Sequence, residues 1–194
     1  MISLFDRTGV MCRPFLKCGV STLQVDVHHG PGLRIAEKSP SGAIMYTYGG
    51  CVTDWYECWD TLSLVHNKGD VVLLAAFPPC TDLANSGARW WKAKAKKNPN
   101  FQEQALSLVV WSKFVAEGLG CPYFIENPMG RISTMWRKPD YIFHPHHYTR
   151  YCSDDNYTKK TGIWAGNGFR MPEPWKDERL PPSDDRVHKT PGGP

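Results

Sequence analysis

Asp70-Val71-Val72-Leu73-Leu74-Ala75-Ala76-Phe77-Pro78-Pro79-Cys80 is the stretch on which the fold turns. A charged residue opens it, a short apolar run follows, and two prolines close it. A run so brief, stopped by prolines, reads as a buried parallel strand rather than a helix. Pro78 and Pro79 fix φ and remove two backbone donors, so the loop that carries Cys80 is stiff. A cysteine just past a strand end sits where open α/β sheets place their chemistry. Ser86-Gly87 then lets the chain turn back.

Upstream, Met1-Ile2-Ser3-Leu4-Phe5 reads as the first strand and leads into Asp6-Arg7-Thr8-Gly9. Met11, Phe15 and Leu16 have helical spacing, and Cys18-Gly19 is a C-cap signal. Leu23-Gln24-Val25-Asp26-Val27 is a second strand with an acid near its end. In this order, a glycine turn before a helix lets backbone N–H groups approach a cofactor. The acid after the second strand suits ribose hydroxyls. The turn has Gly9 but no glycine-rich run, so an ordinary strand–helix turn reads equally well from these residues alone. His28-His29-Gly30-Pro31-Gly32 is a loop. Residues 43–48 form a third strand, and residues 56–68 a short helix.

Downstream, Ala88-Arg89-Trp90-Trp91-Lys92-Ala93-Lys94-Ala95-Lys96-Lys97 is basic and aromatic. It suits phosphate contacts and base stacking, or else a solvated loop or short helix. Asn100 starts the clearest helix, which is apolar nearly all round toward its end at Gly118 to Gly120 and is expected to pack on the sheet. Pro122-Tyr123-Phe124-Ile125 is the next strand, and Glu126-Asn127-Pro128 follows at once. Glu126 shares a sheet edge with Cys80 if the two strands are parallel neighbours. Alone, such an acid would read as a helix cap.

From Met135 the chain reads as irregular, up to a further strand near 157–164. His144, His146, His147 and Cys152 match no zinc spacing of useful specificity, so no metal is expected. The chain divides into a domain of residues 1–170 and a Pro-rich tail of residues 171–194, expected to drape on the surface or stay disordered. At 194 residues it can bury a full core. Seven cysteines, odd in number and without CxxC spacing, argue against a disulfide framework and for a reducing cytoplasm. No run is long enough to span a membrane. The net charge of +4 permits an anionic partner without demanding one.

A thiolate nucleophile beside a proton-donating carboxyl suits methylation at carbon 5 of cytosine. That carbon becomes nucleophilic only after a thiol has added at carbon 6. Here the sequence resembles the DNA (cytosine-5) methyltransferases, most closely short members found in phage genomes, from Ser3 to about Phe169. Phe77-Pro78-Pro79-Cys80 with Ser86-Gly87 resembles the nucleophile motif. Phe124-Ile125-Glu126-Asn127-Pro128 resembles the Glu-Asn-Val motif, with proline for valine. Leu4-Phe5-Asp6-Arg7-Thr8-Gly9 resembles the first S-adenosylmethionine motif, with Arg7 where the family has glycine.

The resemblance implies a Rossmann-like methyltransferase sheet with helices on both faces. It makes Cys80 and Glu126 catalytic. It lays Phe5, Gly9, Asp26, Val27 and Pro78 along S-adenosylmethionine, with Cys51, Val52 or Asp54 at the adenine edge. It puts Ser86, Gly87, Arg89, Asn127, Lys159 and Lys160 on the DNA substrate. It implies a monomer in the cytoplasm of a bacterial host, encoded by a phage. No sizeable target-recognition domain fits after Trp164, which leaves room for a protein partner in recognition or a loosely specific enzyme. A second reading is a catalytically impaired protein of the same fold that binds nucleic acid or a partner. Amino-group methylation ranks last, because Cys80 stands where that chemistry has an aromatic residue.

Overall fold

The run that starts at Val71 pairs only over its last part, Leu74–Ala76, yet those residues lie at the centre of the molecule. The computed structural model describes residues 1–51 and 69–186. Eight strands form one sheet: β1 (Ile2–Leu4), β2 (Thr22–Val25), β3 (Gly32–Lys38), β4 (Ile44–Gly49), β5 (Leu74–Ala76), β6 (Tyr123–Pro128), β7 (Tyr141–Phe143) and β8 (Thr161–Gly166). Their order is β3-β4-β2-β1-β5-β6-β8-β7. The five central strands from β4 to β6 are parallel, and β3 and β8 run against their neighbours. Among the described residues the α-helices are α1 (Cys12–Lys17), α2 (Ala88–Lys97), α3 (Phe101–Leu119) and the single turn α4 (Ile132–Met135).

Strand alternation divides the core between the two faces of the sheet. Ile2, Leu4, Leu23, Val25, Leu74, Ala76, Tyr123 and Ile125 face Val109, Val115, Ala116 and Leu119 of α3. Met1, Met45 and Ala75 pack with Cys12 and Leu16 of α1 on the opposite face. The result is an α/β protein with a mostly parallel sheet, compatible with a Rossmann-like fold. From β1 the strand order runs outward in both directions, through β2 and β4 on one side and β5 and β6 on the other. The crevice outside the carboxyl ends of β1 and β5 is therefore the switch point, where doubly wound sheets bind ligands.

Several elements differ from the sequence reading. Residues 32–38 form edge strand β3, which makes a hairpin with β4. Its side chains are mostly exposed, so it carries no apolar alternation to read. Strand β7 lies inside the stretch read as irregular. The basic segment is helix α2, and none of its ten residues is buried. Helix α3 packs on the sheet by one face, while Val110 and Phe114 on its outer side are exposed despite the apolar sequence. The helix read over residues 56–68 lies outside the described residues. No helix among the described residues is long and apolar enough to cross a membrane.

The tail is docked as far as Arg186. The Arg150 N–H donates to the Trp175 carbonyl (3.0 Å), and the Thr158 N–H donates to that of Asp184 (2.8 Å). Asn156 Nδ2 donates to the Pro181 carbonyl at 2.8 Å. Residues 172–186 thus lie as a strap on the segment between β7 and β8.

Candidate active site

Three loops converge at the carboxyl edge, and each is held by identifiable bonds. After β1, Phe5 adopts φ 57°, a left-handed conformation that costs an L-residue free energy. Asp6 follows, buried, and its carboxylate organises the turn. Oδ2 accepts from Ser3 Oγ at 2.9 Å. Oδ1 accepts from the backbone N–H groups of Thr8 (3.1 Å) and Gly9 (2.8 Å). The N–H groups of Thr8 and Gly9, in the turn expected to approach a cofactor, are therefore turned toward Asp6. Gly9 is favoured here by its φ of +68°, and a Cβ would also displace the Gln24 side-chain amide, 1.7 Å away at Nε2.

After β2, Asp26 is buried at the strand end. Its Oδ1 accepts from the His28 N–H (2.8 Å) and meets His28 Nδ1 at 2.7 Å. Val27 beside it is 61% exposed, so its side chain is open to a planar ligand. His29 Nε2 lies 3.0 Å from the Asp6 carbonyl, which links the first loop to the second. The loop then crosses the end of β4, where a Cβ on Gly49 would lie 2.2 Å from the carbonyl oxygens of His29 and Gly30. Cys51 follows β4 and is exposed. Val52 and Asp54 lie outside the described residues.

The third loop carries the thiol. Pro78 is buried while Pro79 and Cys80 are exposed. The Cys80 carbonyl accepts from the N–H groups of Leu83 (3.0 Å) and Ala84 (2.8 Å), which closes the loop on itself. Strand β6 pairs in parallel with β5, Ala76 opposite Ile125, so Glu126, still within β6, lies level with Phe77 at the edge that carries the Cys80 loop. The loops after the two strands are stitched together. Asn127 Nδ2 donates to the Pro78 carbonyl at 2.9 Å. The Asn85 N–H donates to Met129 (3.2 Å), and the Arg131 N–H to Leu83 (2.7 Å). A Cβ on Gly130 would lie 2.0 Å from the Leu83 carbonyl oxygen, so glycine is what permits this contact.

Glu126 is partly buried and pairs with Lys159 Nζ at 3.2 Å. Both line a cavity of about 370 Å³ with Asp155, Tyr148, Tyr157 and Met171. Cys80 is not among the residues lining that cavity, so the cavity lies along the β6–β8 side of Glu126. Lys160 is exposed, and its carbonyl accepts from the Met129 N–H (3.2 Å).

The other expected substrate residues fall in two groups. Ser86 and Gly87 sit in a 3-10 turn (Asn85–Gly87) directly before α2. A Cβ on Gly87 would lie 2.6 Å from the Thr81 carbonyl oxygen, which gives this glycine a packing role. Arg89 lies 5.2 Å over the ring of Trp90 on the solvent side of α2. Asn127, by contrast, is fully buried, and its amide serves the Pro78 loop.

Asp6, His28 and Tyr148 stand at the site without having been singled out from sequence. Asp6-x-Thr8 carries an Asx-turn signal that marks the first. His28 is set by the turn on Asp26 two residues before it, whereas His29 and Tyr148 reach their positions by tertiary contact and carry no local signal. Compared with known proteins, the sequence matches no family model and no curated protein.

Proposed function

We propose that this chain transfers a methyl group from S-adenosylmethionine to carbon 5 of cytosine in DNA, with Cys80 as nucleophile and Glu126 as proton donor. The parallel pairing of β5 and β6 carries the reading, because it gives an exposed thiol and a half-buried carboxyl a common sheet edge with stitched loops. The residues at the β2 end fit the methyl donor. The bonds to Asp26 fall on Oδ1, and Val27 is open beside it, an acceptor and an apolar face suited to a ribose and its adenine. When bound, S-adenosylmethionine supplies an electrophilic methyl carbon.

The work of the chain's own residues follows. Cys80, as thiolate, adds through Sγ to carbon 6 of the cytosine. The Glu126 carboxyl gives its proton to ring nitrogen 3 as that bond forms, so the ring carries no net negative charge and carbon 5 becomes enamine-like. After carbon 5 has been methylated it gives its proton to a water molecule, the Sγ–carbon 6 bond breaks, Cys80 leaves as thiolate, and nitrogen 3 returns its proton to Glu126. The base must lie out of any stack for Cys80 to reach it. Lys159, paired with Glu126, is positioned to hold the carboxyl group or a substrate phosphate.

An oligonucleotide with 5-fluorocytosine tests this directly. Fluorine does not leave as a proton does, so a covalent adduct should survive denaturation, require the methyl donor and vanish in Cys80→Ala. Glu126→Gln should slow its formation by about 10²–10⁴-fold. A second reading, a protein that only binds, draws on two contacts: Asp6 occupies the N–H groups of the first loop, and Lys159 occupies Glu126. Cofactor binding without any adduct would favour it.

A further inference from the structure

Two tryptophans stand in solvent, each with a guanidinium over its ring. On α2, which begins eight residues after Cys80, Trp90 is 48% exposed and Arg89 lies 5.2 Å from its ring centre. On the strap, Trp175 is 53% exposed and Arg150 lies 5.6 Å from its ring centre. The second site does not stand alone. Trp175 meets Tyr151 at 5.4 Å, Tyr151 meets Tyr148 at 6.3 Å, and Tyr148 meets Phe143 at 5.7 Å. Tyr148 and Phe143 line the cavity beside Glu126. A row of rings therefore runs from an exposed tryptophan into that cavity.

We infer that the preferred substrate is a single strand, whose unpaired bases stack on Trp90 on one side of the site and on the Trp175–Tyr151 row on the other. The inference rests on the methyl-transfer reading for the position of the reacting edge. Base faces are hidden inside a duplex and open only in an unpaired strand, so exposed rings with stacked arginines suit the latter. Charge complements the rings. Helix α2 carries Arg89, Lys92, Lys94, Lys96 and Lys97 with no acid and no buried residue, a surface for a phosphate backbone. Lys94 pairs with Asp82, which links the helix to the Cys80 loop. Gln102 ties that loop further, donating to the Asp82 carbonyl (3.0 Å) and accepting from Arg131 Nε (3.1 Å). A strand lying on α2 would thus be held in register with Cys80.

Equilibrium binding of the full chain to a short cytosine-containing oligodeoxynucleotide, alone and annealed to its complement, tests this without turnover. The single strand should bind about tenfold or more tighter than the duplex, the worth of one to two stacked bases. Trp90→Ala and Trp175→Ala should each weaken single-strand binding by about fivefold to a hundredfold. Trp175→Phe keeps a ring and should restore most of that loss. Lys92→Ala with Lys96→Ala should flatten the salt dependence by about 0.7 in log–log slope per lost phosphate contact. Equal or tighter duplex binding, or single-strand affinity unchanged in both tryptophan-to-alanine variants, would overturn the inference. Failure of the methyl-transfer reading would show differently, as tight single-strand binding with no Cys80 adduct.

Discussion

Asn127 donates a hydrogen bond from Nδ2 to the carbonyl of Pro78 at 2.9 Å, so a fully buried side chain on β6 holds the loop that carries the thiol. With the Asn85–Met129 and Arg131–Leu83 backbone bonds, it ties two adjacent strand ends into one edge. Asn127→Ala leaves the Pro78 carbonyl with a lost donor in a buried place. The expected cost is about 1–3 kcal/mol, read as a lower urea midpoint at unchanged slope. Asn127→Asp keeps the shape but replaces the donating amide with an acceptor, so it should be no better. Both variants should lose Cys80 adduct yield by more than their folded fraction falls, because the loop is freed before the protein unfolds.

Asp6 makes the second prediction. Its carboxylate serves Ser3 Oγ through Oδ2 and the Thr8 and Gly9 N–H groups through Oδ1. Asp6→Ala strands these donors in a buried turn and should cost about 2–4 kcal/mol. Asp6→Asn keeps an oxygen for the two N–H groups and sets an amide against Ser3, whose hydroxyl can accept. It should recover most of the loss in the same unfolding experiment. Recovery to the level of Asp6→Ala only would mean that the charge, rather than the bonds, holds the turn.

How legible this was from sequence depends on which physical rule each residue obeys. The Phe77-Pro78-Pro79-Cys80 loop was readable because proline and a short apolar run leave few alternatives. The joint edge of Cys80 and Glu126 followed from reading both runs as parallel neighbours, which β5 and β6 are. The roof over Glu126 was not readable. Tyr148, Asp155 and Met171 gather there through long-range contacts between a loop and a strap, and neither has a periodic pattern. Edge strand β3 was missed because its face is solvated and it pairs by a hairpin rather than by burial. Asn127 read as a substrate contact because it follows the catalytic candidate Glu126 in the Glu-Asn-Pro motif. Alternation along β6 sends the two side chains to opposite faces, and Asn127 goes to the buried one.

The thiols should separate sharply by reactivity. Burial, with the Asp6 carboxylate adding to it, pushes the Cys12 thiol up to about 11. Burial also raises that of Cys121. At pH 8 only on the order of one Cys12 in a thousand is thiolate, and that thiol is fully enclosed. Brief iodoacetamide treatment followed by peptide mapping should therefore leave Cys12 and Cys121 intact while exposed Cys80 is alkylated. Prior binding of a cytosine-containing strand should protect Cys80 and leave exposed Cys18, on the α1 side, unaffected. Protection of both alike would point to general shielding rather than occupation of the site.

The strap should release in acid. Asp177 is buried at its middle, and its N–H donates to Thr149 Oγ1 at 2.9 Å. Arg179 grips the carboxylate from Nε (2.9 Å) and Nη2 (2.7 Å) and adds its own N–H at 3.1 Å. These Arg179 bonds hold the Asp177 carboxyl well below the usual carboxylate range, against the opposing effect of burial. A carboxyl depressed on folding stabilises the folded form above its unfolded value of about 4, and that stabilisation fades as pH falls toward the folded value. Amide exchange of Arg150 and Thr158, whose N–H groups bond to Trp175 and Asp184, reports the docking. After correction for the intrinsic pH dependence of exchange, their protection should hold steady from pH 7 to about pH 5 and decline below about pH 4. Asp177→Asn should show weaker protection at pH 7 and no further decline from this group on acidification. An unchanged acid decline in Asp177→Asn would assign the release to other carboxylates, with the Asp184–Arg186 pair the next to test.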